Sequence, residues 1–187
     1  LANSKVLLNE KTIEHLNTSL KYKEHRITLI SWISTGLMTF SKQKFNENDT
    51  KSVINKLLSV FLALTEKEDL ELDEINYALK SITDSFGSMD TTTLSTSDLS
   101  KQILIQLSTF SKLSTDYYFS FLNILDTLNN RYELFDNSSF DPVFNNLKNS
   151  SFQKVDIEKL WDFTLRKDVN NNCDRILNWR GIELILA

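Results

Sequence analysis

Residues 6–38 read VLLNEKTIEHLNTSLKYKEHRITLISWISTGLM. Val6, Ile13, Leu16, Leu20, Ile27, Ile30 and Leu37 fall on one seam, spaced by three, by four or by whole heptads. That spacing predicts one long amphipathic helix. No Pro interrupts it, and its one glycine, Gly36, stands near the end. At 1.5 Å per residue such a helix would extend roughly 50 Å. A second stripe, Leu29, Trp32, Ile33 and Phe40, begins in its C-terminal half. A single seam rests on one surface, whereas two stripes need neighbours on two sides. The second half is therefore expected to be the buried axis of the domain, with Leu29, Ile30, Ile33 and Leu37 in the core.

The rest of the composition agrees with helices. Three Gly and one Pro in 187 residues are too few for the tight turns of a β-sandwich or barrel. Hydrophobic residues at 41% and charged residues at 25% are ordinary globular values. The length suits one core and is short for two. Twelve Phe predict an aromatic-rich interior. The expectation is an all-α chain, an irregular bundle or short α-solenoid of seven to eight helices on the long N-terminal one. Residues 1–187 read as a single domain. The apolar end, Gly181 to Ala187, reads as a docked terminus or as the edge of a domain excised from a longer protein.

The elements follow in order. Asn48-Asp49-Thr50 offers N-cap chemistry ahead of Val53, Ile54, Leu57, Leu58, Phe61, Leu62 and Leu64. Leu72, Ile75, Leu79, Ile82 and Phe86 make a clean helical face, and Gly87 is placed for a left-handed C′ residue. Ser88 to Ser97 lacks periodicity and reads as the most mobile internal loop. Leu99, Ile103, Leu107, Phe110 and Leu113 form the next face. After Ser114-Thr115-Asp116 comes another with Tyr118, Phe121, Leu122, Leu125 and Leu128, which favours an αα-hairpin over a kinked helix. Asp141-Pro142 reads as N-cap and N1 of a short helix. Two more are expected around Leu160 with Trp161 and around Leu177 with Trp179. No fixed repeat period is present.

Chemistry is hard to find. His15 and His25 are ten residues apart, about 80° around a helix rather than the shared face of a two-His metal site. Cys173 has no CxxC partner, and its single occurrence fits a reducing compartment. No GxGxxG, P-loop, GxSxG or HExxH occurs, nor the Glu-x-x-His of helical-bundle metal enzymes. No catalytic residue, cofactor or metal is therefore assigned. A net charge of −4 argues against nucleic acid as the main partner. No apolar run approaches the ~18 residues of a membrane span.

The strongest charge feature lies from Glu66 to Asp90, where eight acids and two bases leave a local net of −6. Glu66, Glu68, Asp69 and Glu71 form an acidic edge suited to a basic segment of a partner protein, or simply a solvated surface. Tyr117 and Phe119 are candidate aromatic anchors, with core packing as the competing reading. These features point to a non-catalytic protein–protein interaction domain, a scaffold or adaptor. The alternatives are a helical enzyme or ligand-binding domain with a scattered site, and a purely structural segment. The Asn/Ser/Lys/Ile bias suggests an AT-rich eukaryotic genome, and the single Cys173 an intracellular protein of the cytoplasm or nucleus. Oligomeric state leaves no mark on the sequence.

Overall fold

The computed structural model describes residues 10–42, 47–89, 98–132, 134 and 138–150. Among these the chain forms seven α-helices, two 3-10 turns and no strand. The α-helices are α1 (Glu10–Ser19), α2 (Lys23–Lys42), α3 (Glu47–Thr65), α4 (Leu72–Ser88), α5 (Asp98–Thr109), α6 (Thr115–Tyr132) and α7 (Asp141–Lys148). The 3-10 turns are Phe110–Lys112 and Ser138–Phe140. The fold is all-α, as the scarcity of Gly and Pro predicts. The helices expected around Trp161 and Trp179, Cys173, and most of the Ser88–Ser97 loop lie outside the described residues. The chain divides into two compact units, residues 1–106 and 107–187.

In the first unit the seam of residues 6–38 does not form one helix. It splits into α1 and α2 at Leu20–Tyr22. The N–H groups of Lys21 and Tyr22 donate to Thr18 and Ser19, three residues back, at 3.2 and 3.1 Å. The chain thus leaves α1 through a tightened turn. The bend carries Leu20 into the core at 1% exposure and leaves Ile27, on the same seam, 46% exposed. Periodicity records which residues are apolar but not where a helix stops, so the heptad reading ran through the turn.

Beyond the bend the expected core is present. Leu29, Ile30, Ile33 and Leu37 are buried, and α2 packs on both α3 and α4. Trp32, read as part of the second stripe, is 43% exposed instead. The α2–α3 approach is close. A Cβ at Gly36 would lie 3.0 Å from Leu57 Cδ1, so the missing side chain makes room for a fully buried leucine. Against α4 the small residues are serines. Ser34 Oγ lies 2.9 Å from both the Ser81 carbonyl and Ser85 Oγ, and Ser85 Oγ bonds the Ser81 carbonyl at 2.8 Å. These contacts keep buried hydroxyls paired. The cross-contacts Lys23–Glu71, Arg26–Glu74 and Ser34–Ser81 advance together, so α2 and α4 run in the same direction.

Some boundaries differ from the sequence reading. α3 begins at Glu47, which puts Asn48, Asp49 and Thr50 in its first turn rather than before it. α4 continues through Gly87 to Ser88, and its cap is Met89. Gly87 is an ordinary helical residue there, and the chain leaves the helix at Met89, whose N–H donates to the Phe86 carbonyl at 3.2 Å. Leu72, expected on the α4 core face, is 42% exposed. Asp141 is the first residue of α7, with Phe140 as its N-cap and Pro142 in the first turn.

In the second unit the 3-10 turn Phe110–Lys112 packs on α6 and α7. The Tyr117 hydroxyl donates to the Leu107 carbonyl at 2.8 Å. Ten residues of straight helix would hold those positions about 15 Å apart along the axis. The chain therefore turns back between them, through the 3-10 turn and Leu113–Ser114. Phe110 meets Tyr117 edge-on and Tyr117 stacks on Phe121, with centroids 6.4 and 6.2 Å apart. Phe140, Val143, Phe144 and Leu147 complete a buried, aromatic-rich set. Asn146 Nδ2 donates to Ser108 Oγ at 2.8 Å and ties α7 down.

Candidate functional site

The acidic edge of Glu66, Glu68, Asp69 and Glu71 lies on the α3–α4 loop, and Asp73 and Glu74 follow it in the first turn of α4. The loop starts where α3 ends: Glu66 and Lys67 N–H donate to Leu62 and Leu64, at 3.0 and 3.1 Å. It finishes in a capping box built from two glutamates, in which Glu74 Oε2 accepts the Glu71 N–H at 2.8 Å. Acids in this first turn also suit the positive end of the helix dipole.

The edge is not a free run of negative charge. Arg26 on α2 is 2% exposed and donates to both carboxylate oxygens of Asp69, at 2.9 and 3.0 Å. It also lies 3.6 Å from Glu74, itself nearly buried. Lys23 donates to Glu71 at 3.3 Å. Sequence reasoning missed this network, since a buried Arg next to a helical seam reads like any surface base. Over 66–74 the sequence sets six acids against Lys67; with Lys23 and Arg26 included the net falls from −5 to −3. The hydrogen bond from Arg26 holds the Asp69 carboxyl below its ordinary value, against an opposing cost of desolvation.

The candidate residues thus separate into groups. Glu66 and Glu68 are exposed. Asp69 and Glu71 are exposed too, but each is engaged by a cation of α2. Tyr117 is 1% exposed. Its phenol is pushed up by burial and stays protonated, so it donates inside the core and is not a surface anchor. Phe119 is half-buried, its ring set edge-on to Tyr118 at 5.5 Å. The edge and the aromatic pair belong to different units. Two exposed apolar side chains stand beside the Lys23–Glu71 bridge in sequence: Tyr22, whose ring centroid is 5.6 Å from that of His25, and Leu72.

Between α2 and α4 runs a shallow cleft of about 260 Å³ lined by Ser31, Ser34, Thr35, Met38, Tyr77, Lys80, Ser81 and Asp84. It falls below the roughly 300–1,000 Å³ of small-molecule pockets, and its deepest hydroxyl, Ser34, is engaged by α4. Among the described residues no cluster of His, Cys, Asp and Glu could hold a metal ion, and no helix is long and apolar enough to cross a membrane. No family model, curated protein or solved structure shows significant similarity to this chain.

Proposed function

We propose that the chain is a non-catalytic helical interaction domain, a scaffold or adaptor, that offers residues 66–74 to a partner protein carrying a basic segment. The observation behind this reading is what remains once internal pairing is complete. Glu66, Glu68 and Asp73 stay exposed, while Tyr22 and Leu72, the sequence neighbours of the bridged Lys23 and Glu71, are exposed as well. Exposed charges steer association and select the partner's sign, and exposed apolar side chains supply contact area. The helices are read as an irregular bundle that holds this edge rigid.

The test uses a panel of immobilised Lys/Arg-rich amphipathic peptides. Glu66→Lys with Glu68→Lys is expected to slow association at least several-fold at low salt, and raising ionic strength should shrink the difference. Asp69 is left intact because its reversal would unpair a buried guanidinium. If the double variant associates with every peptide at the parent's rate in low salt, the edge is only a solvated surface.

A further inference from the structure

The bend between α1 and α2 has no helix-breaking residue in it; its local contribution is limited to Thr18 and Ser19, whose hydroxyls donate to the Glu14 and His15 carbonyls at 2.8 and 2.9 Å and weaken the last turn of α1. Leu20, Lys21, Tyr22 and Lys23 include neither Gly nor Pro, and each is acceptable inside a helix. The apolar seam continues through it, from Leu16 and Leu20 to Ile27 and Ile30. In a continuous helix the Leu20 carbonyl would accept the Glu24 N–H. In the bend it accepts Arg26 Nε at 3.1 Å. A side chain has replaced the backbone donor that the turn takes away.

The same guanidinium makes its two bonds to the Asp69 carboxylate, a longer one to the Asp69 carbonyl at 3.4 Å, and faces Glu74. A cation this deeply buried is tolerated only when its charge and donors are paired. One group therefore joins three segments: the end of α1, the α3–α4 loop and the start of α4. In this arrangement α1 packs on α3. Tyr22 and Ile27, next to the turn, are left 53% and 46% exposed.

We infer that Arg26 is a latch: while it is paired with Asp69, α1 is folded onto α3 at a hinge of residues 20–22, and when the pairing is broken residues 10–42 run on as one helix and uncover the α3 surface. Opening takes Leu20 out of the core and restores helical backbone bonds across the turn. The device shares Asp69 with the proposed partner-binding edge, but its test needs no partner and so stands or fails apart from that reading.

Nitroxide labels on Lys11→Cys and Lys42→Cys, both exposed positions, in a Cys173→Ser background report the state directly. A continuous helix would set the two backbone positions about 46 Å apart. The parent is expected at a shorter distance, and Arg26→Met and Asp69→Asn at a single population near the long one. A parent already at the long distance would overturn the latch. So would a parent-like distance in both variants, which would assign the bend to Leu20 packing alone. A broad distribution with loss of helix over residues 10–19 would also overturn it, since α1 would then unfold rather than straighten. Should Arg26→Met fail to fold, Asp69→Asn decides, because its half-exposed amide keeps the shape of the native side chain.

Discussion

At the scale of single residues, two side chains carry opposite lessons. Ile33 is apolar, central to α2 and fully buried. Ile33→Ala is expected to cost about 2–5 kcal/mol of unfolding free energy, as other buried Leu/Ile truncations do. A loss under about 0.5 kcal/mol in urea unfolding would mean that the site behaves like surface. Asp69 is half-exposed yet tied to a buried cation. Its carboxyl sits below the ordinary 3.8 in the folded chain. A group depressed on folding stabilises the fold fully above its unfolded value, and that contribution is lost as pH falls through the lower folded value. The urea midpoints of the parent and Asp69→Asn should therefore stand apart near neutrality and converge as pH drops well below 3.8. A constant gap would show that the Arg26 bond contributes nothing that depends on the charge. The burial of Ile33 was legible from spacing. The pairing of Asp69 was not, because Arg26 stands 43 residues away in sequence.

At the scale of helices, the same substitution should act with opposite signs at two glycines. Gly87 lies in the last turn of α4, is exposed, and has nothing within 4 Å of where a Cβ would stand. Gly87→Ala should stabilise by about 0.5–1 kcal/mol, through the lost backbone freedom of glycine. At Gly36 the new Cβ would press on Leu57 at 3.0 Å. Leu57 is fully buried and has little room to yield, and overpacking of about 1–3 kcal/mol exceeds the helix-propensity gain of about 1 kcal/mol. Gly36→Ala should therefore lower the thermal midpoint while Gly87→Ala raises it. A rise at Gly36 would show that α2 and α3 can part without loss. Sequence alone places both glycines near helix ends and cannot separate them. The difference lies in what another helix puts opposite.

At the scale of the whole molecule, circular dichroism should show strong helical minima, and a strand content above about a tenth would contradict an all-α chain. That class was legible from composition and from three-and-four spacing, since both are local: a helix closes its hydrogen bonds within four residues and presents its apolar face at the same interval. For the same reason the faces of α2, α3 and α4 could be read ahead of their packing. The candidate edge was legible only as a run of acids. Which acids are engaged within the chain depends on two bases brought from another helix. Tyr117 shows the same limit, because a hydroxyl-bearing aromatic suits a surface or a core equally until a carbonyl such as that of Leu107 is in reach. The bend at Leu20–Tyr22 is the sharpest case. Neither Gly nor Pro stands there, and the back-bonded hydroxyls of Thr18 and Ser19 weaken the turn without ending it, so the apolar spacing names the longer helix. Burial of Leu20 and the Arg26–Asp69 pair, both made with residues distant in sequence, stop it short. Sequence alone determined that the chain is helical and where most of its apolar faces lie, because those terms are settled within one turn; only the tertiary structure decided where the long helix breaks and which charges are left for a partner, because those terms depend on residues that only folding brings together.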